Sequence, residues 1–373
     1  MMANMFDYLT WRGDLSLSQS PFQDVDAFIL STMSYIFLDG VAAENMEETI
    51  TISEMAERFL ARPQAEWKLR VPEDEKLLRA LQESERFMHM ELCGYVNKLD
   101  FQSEKQFAAL TILPGDGTVL VVYRGTDYSL VGWKENFNMC FMDDVPAQLD
   151  AAEYLTRAAA AFPEGELRVS GHSKGGNLAV YAAAMCPKEV QERIRVVYNY
   201  DGPGFRDTML EREGYQNILP RMKTFLPQFS VVGLLLEQKG DSIVIYSNEK
   251  GILQHEPYSW QIQGADFVKQ EKLMEQSYFL DQTVTRWMTG LTEQQREQFI
   301  DLVYEAVAAA PVDDFGEAVF TPRMVITTLQ TLHAEDEETK IISSGIRMLF
   351  DAAKKTADAF AGRSVMDDGE RRK

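Results

Sequence analysis

The chain has 373 residues, of which 45% are hydrophobic and 25% charged, and its formal net charge is −21 at pH 7. A surface this acidic repels phosphate groups, which disfavours nucleic acids and anionic membranes as partners. The composition is typical of a soluble globular protein with enough apolar residues for a packed core. The length predicts about two domains, or one enlarged domain with insertions.

The cysteines and histidines give no sign of a disulfide framework or of a metal site. Cys93, Cys140 and Cys186 are widely spaced and form no CxxC pair, which favours a reducing compartment. The four histidines show no HExxH spacing, so we expect neither a metal nor another cofactor. The sequence has no secretory signal pattern and no run of about 18 apolar residues, which predicts a cytoplasmic protein without stable membrane insertion.

Residues 1–89 predict a mainly helical N-terminal part. Phe28, Met33 and Phe37 belong to a set of apolar residues at helical spacing, and a charged helix is expected near residues 73–86. In the block 11–14 we expect the packing of Trp11 to pin an N-terminal loop. We expect this part to cover the core rather than to supply chemistry.

From about Met90 the pattern changes to strands alternating with helices. The turn Gly115-Asp116-Gly117 between two β-rich runs predicts a hairpin. The predicted strands are 92–97, 106–113, 118–123, 167–170 and 195–200, and the predicted helices are 147–162 and 175–185. This succession is typical of a parallel sheet with crossover helices, so the predicted fold class is α/β.

The pattern is looser after Asp201. It contains the apolar run 231–236, which would line an acyl pocket or form a lid, or would be buried core or a strand, and then a predicted strand at 242–247. Several helices are expected between 265 and 361, for example 293–309 and 322–332, and the polar tail 367–373 is expected to be disordered. We therefore predict a main domain at 1–264 and a helical C-terminal region at 265–373 that packs on it or caps it.

The chemistry is predicted from the GxSxG pattern formed by Gly171-His172-Ser173-Lys174-Gly175. It lies between a predicted strand and a predicted helix, where a turn would expose the serine hydroxyl at the carboxyl edge of the sheet. The N-terminal end of the helix would face the site, so the backbone N–H of Lys174 is a candidate oxyanion donor. The alternative is a glycine-rich tight turn with a capping serine.

A nucleophilic serine needs a base, and histidine is the usual one. On such folds the order along the chain is serine, acid, histidine. His255 follows a predicted strand and fits this order. His172 is expected to pack away from the serine hydroxyl, and His89 and His333 lie in helix-like stretches that favour structural roles.

Asp201 is the preferred acid because it directly follows the predicted strand 195–200, and active residues of open α/β sheets gather at the carboxyl ends of strands. Asp241 is the other candidate, but it precedes a strand and would lie at the opposite edge. Asp201 would also suit a turn with Gly202, in which its carboxylate bonds backbone N–H groups.

A second oxyanion donor should come from a loop after an earlier strand, where Thr126 offers an N–H and a hydroxyl. Arg124 in the same loop is expected to be a structural ion-pair partner. Asp127 would be its partner or a turn residue.

These residues resemble known families. The blocks 121–126, 132–133 and 171–179 look like those of class 3 lipases, and the chain as a whole more closely resembles the bacterial Mbeg1-like proteins of the DUF2974 family, which have the α/β-hydrolase fold. The second resemblance covers most of residues 6–265, with similar blocks at 6–15, 199–205 and 254–260. It implies an oxyanion role for Thr126, a nucleophile at Ser173 and a base at His255.

The chain departs from the lipase pattern at two places. Lys174 stands where those lipases usually have an apolar residue, and the loop 226–231, which normally carries their acid, has no carboxylate here. Asp201 would then supply the acid from the preceding strand.

The sequence thus predicts a lipase- or esterase-like serine hydrolase that cleaves an ester or thioester of a small acyl or lipid-like molecule through an acyl-enzyme intermediate. The alternative is a binding or scaffold protein with weak or no catalysis that keeps the hydrolase fold. The sequence specifies no oligomeric state.

Overall fold

The computed structural model of the protein describes residues 3–127, 129–139 and 142–292, with a few isolated positions between 294 and 355. The predicted helices 293–309 and 322–332 fall almost entirely outside the described residues, and the tail 367–373 falls outside them altogether. The proposed division at residue 264 stays a prediction.

Eight strands form one sheet, and their order in space follows their order in the chain. The strands are β1 Ile50–Thr51, β2 Glu91–Asp100, β3 Lys105–Leu113, β4 Thr118–Tyr123, β5 Glu166–His172, β6 Ile194–Tyr200, β7 Met222–Pro227 and β8 Ser242–Ile245. Strands β1 to β4 pair antiparallel, and strands β4 to β8 pair parallel. A separate antiparallel pair is formed by β9 Ile262–Gln263 and β10 Asp266–Phe267.

Helices flank this sheet, which gives the α/β-hydrolase-like architecture that the sequence predicts. The helices are α1 Met5–Arg12, α2 Asp24–Met33, α3 Ile52–Leu60, α4 Pro72–Glu83, α5 Leu130–Asn138, α6 Pro146–Ala161, α7 Lys174–Met185, α8 Lys188–Glu192, α9 Asp207–Leu210, α10 Glu213–Ile218 and α11 Glu275–Gly290. Among the described residues, no helix has both the length and the apolar character that a membrane span needs.

The central strands bury side chains on both faces, which explains their continuous apolar runs. In β4, Val119 and Val121 pack with one cluster of core residues, while Leu120 and Val122 pack with the other. Each parallel strand is added on the same side of its predecessor, so right-handed crossovers place the connecting helices α6 and α7 on one face. The second face needs a separate cover.

The N-terminal part supplies that cover, as predicted. Phe28 of α2 stacks on Trp260 with ring centroids 4.6 Å apart and contacts Tyr200 of β6 at 5.1 Å. All three side chains are buried. The N-terminal helices are therefore part of the main hydrophobic core rather than an appendage.

A buried ion pair fixes this cover. The guanidinium of Arg86 donates to both carboxylate oxygens of Asp26, at 2.7 and 2.5 Å, and both side chains are fully buried. The hydroxyl of Tyr8 donates to the same carboxylate at 2.8 Å. The predicted role of Trp11 is wrong, because its side chain is 48% exposed. The loop after α1 is instead held by Arg86, whose N–H groups donate to the carbonyl oxygens of Leu15, Ser20 and Pro21.

The region after Asp201 is more ordered than the sequence suggests. It contains the unpredicted strand β7, whose sequence mixes Lys223 and Thr224 with apolar residues and ends in Pro227, so it shows no clear β pattern. The run 231–236 forms a short 3-10 helix at Val232–Leu234 and is mostly half-buried, so it is neither a strand nor closed core. Strand β8 is shorter than predicted.

Replacing Arg86 by methionine should leave the Asp26 carboxylate buried without its cation. Removing one partner of a buried pair costs about 3–5 kcal/mol, so we expect a loss of that size in the free energy of unfolding, measured by urea denaturation. Arg79→Met is the matched control, since Arg79 forms an exposed pair with Glu75 on α4. Its effect should stay within about 1 kcal/mol, and equal effects of both variants would contradict the role given to Arg86.

Candidate active site

Three loops begin side by side at the carboxyl edge of the sheet. Strand β4 pairs in parallel with β5 as far as Tyr123, and β5 pairs with β6 as far as the partners His172 and Tyr200. Ser173 and Asp201 are therefore the first residues beyond two neighbouring strands. In open α/β sheets this edge is where ligand-binding and catalytic groups gather.

Ser173 occupies a strained turn between β5 and α7. Its φ of 58° and ψ of −134° lie in a region that residues other than glycine rarely adopt. The turn is held by the Ser173 N–H, which donates to the carbonyl of Tyr200 at 2.9 Å. A Cβ atom at Gly175 would come within 2.1 Å of the Tyr123 carbonyl oxygen, so the tight approach of α7 to β4 requires glycine there.

The hydroxyl of Ser173 does not cap the helix that follows. Ser173 is the N-cap residue of α7, yet its side chain makes no capping hydrogen bond to the described first turn. The side chain is half-buried rather than enclosed. The capping-serine alternative therefore does not describe this turn, and the hydroxyl remains accessible at the edge of the sheet.

Lys174, the first residue of α7, turns its ammonium group into the protein. It forms a buried ion pair with Glu135 of α5 and donates to the carbonyl of Gln106 at 2.6 Å. Burial lowers the pKa of Lys174, and the neighbouring carboxylate of Glu135 opposes that effect. The side chain thus has a structural role, while the backbone N–H is that of the first helical residue, which has no intrahelical acceptor.

The carboxylate of Asp201 is fully buried and held at both oxygens. Oδ2 lies 2.6 Å from Nδ1 of His255. Oδ1 accepts hydrogen bonds from the hydroxyl of Ser230 at 2.5 Å and from the N–H of Gly233 at 3.2 Å. Asp201 has a φ of 53°, and its N–H donates to the carbonyl of Phe225 at 2.8 Å, which fixes this left-handed conformation.

The turn alternative for Asp201 is wrong, because its carboxylate does not accept the N–H of Gly202. The N–H of Gly202 bonds instead to the side-chain oxygen of Asn199, at 2.8 Å. Asp241 is exposed and precedes β8, which pairs in parallel with β7, so it lies at the opposite edge of the sheet. Of these two candidates, the structure brings only Asp201 to His255.

Ser230 and Gly233 were missed by the sequence analysis. Both lie in or just beyond the loop after β7, the loop noted for having no carboxylate. They supply hydrogen-bond donors to a carboxylate that comes from β6 instead. The only local signal was a serine and a glycine within an apolar stretch, and nothing in that pattern indicates that they reach Asp201.

His255 ends a short 3-10 helix, Gly251–His255, in the loop after β8. The neighbouring Gln254 ties this loop down, because its carbonyl accepts the indole N–H of Trp260 at 2.9 Å and its side-chain oxygen accepts the N–H of Phe229 at 2.8 Å. The His255 ring itself is partly exposed. The loop is thus held by hydrogen bonds at the residue before His255, while the imidazole is partly open to solvent.

Thr126 lies in the loop after β4, close to the serine turn. Asn136 of α5 donates to its hydroxyl oxygen at 2.6 Å, which leaves the hydroxyl proton able to point elsewhere. Arg124 is buried, donates to Asn97 at 2.6 Å and lies 3.7 Å from the carboxylate of Asp127. Arg124 thus makes the structural contacts that the sequence predicts.

Both ring nitrogens of His172 have hydrogen-bond partners other than the serine hydroxyl. Its Nδ1 lies 2.8 Å from the hydroxyl of Tyr35, and its Nε2 lies 2.9 Å from the carbonyl oxygen of His255. Burial lowers the pKa of His172 well below its ordinary value. His89 is exposed beside Glu85, and His333 lies outside the described residues.

The described cysteines are inert in this setting. Burial raises the pKa of Cys93 to about 11 and that of Cys186 to about 12, so both thiols stay protonated near neutral pH. Cys140 is outside the described residues. Within the part of the chain that the structure describes, no three histidine, cysteine or acidic side chains are grouped so as to hold a metal ion.

The buried imidazole of His172 predicts an acid-sensitive stability. An unfolded histidine titrates near pH 6.5, so on acidification the unfolded chain takes up a proton that folded His172 refuses. We therefore expect His172 to destabilise the fold below about pH 6.5, by up to about 1.4 kcal/mol per pH unit. Urea denaturation of His172→Gln between about pH 7 and 5 should show a shallower loss of stability than the wild type.

His89→Gln is the matched control for this prediction, because it replaces an exposed histidine in the same way. It should keep the wild-type dependence of stability on pH. Parallel curves for the wild type and His172→Gln would contradict a neutral, buried His172.

Comparison with solved structures finds lipases among the similar proteins. Similar solved structures include the Rhizomucor miehei lipase propeptide complex, with 15% identity, a TM-score of 0.38 and coverage of 66% of this chain and 72% of that one. A lipase from Rhizopus microsporus var. chinensis has 15% identity, a TM-score of 0.34 and coverage of 59% and 82%. At these identities and TM-scores the likeness carries no information on activity. No curated protein matches the chain in sequence.

The family comparison is more direct. The profile of the Mbeg1-like family matches residues 81–305, more than half of the chain. The matched region runs from the end of α4 past α11 and includes Ser173, Asp201 and His255. It confirms the resemblance noted in the sequence, and the chain belongs to the Mbeg1-like family.

Proposed function

We propose that the protein is a serine hydrolase that cleaves an ester or thioester through an acyl-enzyme intermediate. The observation that carries this proposal is the buried Asp201 carboxylate bonded to Nδ1 of His255, next to a serine in a strained strand-to-helix turn. Serine, acid and histidine in this chain order at one sheet edge are typical of nucleophilic acyl transfer.

In this mechanism the Ser173 hydroxyl oxygen attacks the carbonyl carbon of the substrate while Nε2 of His255 takes the hydroxyl proton. Asp201 holds Nδ1–H of the same ring and stabilises the imidazolium that forms. The alcohol or thiol leaves with the proton from His255, and the acyl group stays on Ser173. Water then attacks the acyl carbon while Nε2 of His255 takes its proton. The bond to the Ser173 oxygen breaks, this oxygen receives the proton from His255, and the acid is released.

The oxyanion that forms during each attack needs hydrogen-bond donors. The backbone N–H of Lys174 and the N–H and hydroxyl of Thr126 are the proposed donors. Thr126 suits this role because its oxygen already accepts from Asn136, which leaves its proton for the oxyanion. Loss of one such donor typically lowers the rate about 100- to 1,000-fold.

An acyl substrate is favoured over a phosphorylated one. The half-buried apolar run 231–236 adjoins the acid, because the N–H of Gly233 bonds to Asp201. The ammonium group of Lys174 is already paired with Glu135. The apolar run is therefore the proposed contact surface for the acyl chain of a small ester or lipid-like substrate.

A fluorophosphonate probe tests whether the serine is activated. We expect rapid labelling of the wild type at Ser173, no labelling of Ser173→Ala at that site, and labelling of His255→Ala slowed by at least about 1,000-fold. Mass spectrometry of the labelled peptide locates the site.

His89→Ala is the control for His255→Ala and should label at the wild-type rate, since His89 is exposed and remote from the proposed triad. A folded wild type that does not label would overturn the hydrolase proposal. It would favour a binding or scaffold protein that keeps the fold.

The acid can be tested separately with a matched pair of variants. Asp201→Asn keeps the shape of the side chain but removes the charge that orients and stabilises the His255 imidazole, so we expect labelling to slow about 1,000- to 10,000-fold. Asp241→Asn removes a carboxylate at the opposite edge and should change nothing. Equal rates for the two variants would exclude Asp201 as the acid.

A further inference from the structure

A chain of hydrogen bonds runs beneath the candidate site from the N-terminal part to the His255 loop. The hydroxyl of Tyr35 lies 2.8 Å from Nδ1 of His172, and Nε2 of His172 lies 2.9 Å from the carbonyl oxygen of His255. The rings of His172 and His255 are tilted toward each other with centroids 4.6 Å apart. Tyr35 and His172 are both buried, so water does not compete for these bonds.

The direction of this chain is fixed by its last acceptor. A carbonyl oxygen can only accept, so Nε2 of His172 must carry the proton. A neutral ring then has a lone pair on Nδ1, which must accept from the hydroxyl of Tyr35. Burial raises the pKa of Tyr35, so its phenol stays protonated and keeps the donor that this arrangement needs.

Tyr35 also reaches the loop that carries Thr126. A Cβ atom at Gly125 would lie only 2.1 Å from the Tyr35 hydroxyl oxygen and 2.7 Å from the carbonyl oxygen of His172. The absence of a side chain at Gly125 therefore lets one hydroxyl sit where the loops after β4 and β5 meet. Through His172 the same hydroxyl is linked to the loop after β8.

A second set of contacts links the N-terminal part to the His255 loop. Arg70 forms a bidentate ion pair with Glu256, the residue after His255, and its guanidinium lies over the ring of Tyr35 at 4.7 Å from the centroid. Tyr258 donates to the carboxylate of Asp74 at 2.7 Å. The N-terminal part thus contacts the His255 loop directly at Glu256 and Tyr258, and it reaches the carbonyl of His255 indirectly through His172.

We propose that Tyr35 and His172 are positioning residues that hold the backbone of His255 so that its imidazole stays bonded to Asp201 and serves Ser173 as the base. This inference rests on the proposed hydrolase function. Asp201 fixes the ring through Nδ1, and the carbonyl contact from His172 fixes the chain to which the ring is attached. Two anchors are needed because the ring is partly exposed and its 3-10 helix is short.

Tyr35→Phe removes only the hydroxyl that begins this chain. Small displacements of a catalytic group can cost up to about 100-fold in rate, so we expect the rate constant for fluorophosphonate labelling at Ser173 to fall by about 10- to 100-fold. His172→Phe should be at least as slow. His172→Gln, whose amide can still donate to the His255 carbonyl, should recover part of the loss.

Tyr154→Phe is the matched control. Tyr154 is an equally buried tyrosine in the core cluster of the other sheet face, and its hydroxyl bonds to Thr111 at 2.9 Å and to the carbonyl of Gly94 at 2.8 Å. We expect a comparable loss of melting temperature in Tyr154→Phe and Tyr35→Phe, but wild-type labelling in Tyr154→Phe. Labelling of Tyr35→Phe at the rate of Tyr154→Phe would overturn the proposal.

A second readout does not depend on catalysis. The proton NMR signal of His255 Nδ1–H, bonded to Asp201, should be sharp in the wild type and Tyr154→Phe, and broadened or shifted in Tyr35→Phe and His172→Phe. If the wild type fails to label, the hydrolase proposal fails, and this signal still decides whether Tyr35 and His172 position His255. An unchanged signal in both Tyr35→Phe and His172→Phe would overturn the positioning role.

Discussion

Parallel pairing of β4, β5 and β6 places the start of three loops at one level of the sheet. Because the register runs to the last residue of each strand, Ser173 and Asp201 come directly after neighbouring strand ends, and Thr126 follows the third. This closeness strains the backbone, since both Ser173 and Asp201 have positive φ values. Hydrogen bonds from their N–H groups to the adjacent strands hold them there, so the sheet itself brings these two residues together.

Asp201 is bonded by residues of two loops that follow other strands. Its carboxylate comes from the end of β6, and the loop after β7 contributes Ser230 and Gly233 as donors that hold it. A charge buried in this way is tolerable because both of its oxygens are hydrogen-bonded. Position along the chain is thus secondary to the geometry that places a carboxylate at Nδ1 of His255.

The N-terminal part contributes both to the hydrophobic core and to the contacts around the His255 loop. Sequential addition of the parallel strands leaves one sheet face uncovered by crossover helices, and α2 fills it with Phe28 against Trp260. Trp260 in turn bonds to the carbonyl of Gln254, the residue before His255. Tyr35 and Arg70 extend the same cover to the His255 loop. The part of the chain that completes the core therefore also contacts the loop that carries His255.

Local pattern determined the α/β class, the hairpin before β4, the strand-to-helix turn at Ser173 and the order of serine, aspartate and histidine, because strand and helix periodicity and glycine at turns are properties of neighbouring residues. Local pattern did not indicate strand β7, the bond of Ser230 to Asp201 or the bond of Tyr35 to His172. Tyr35 and His172 are far apart in the chain, and only the packing of α2 against the sheet brings them together. Side-chain pairs of that kind arise from tertiary structure, which periodicity along a single chain does not encode.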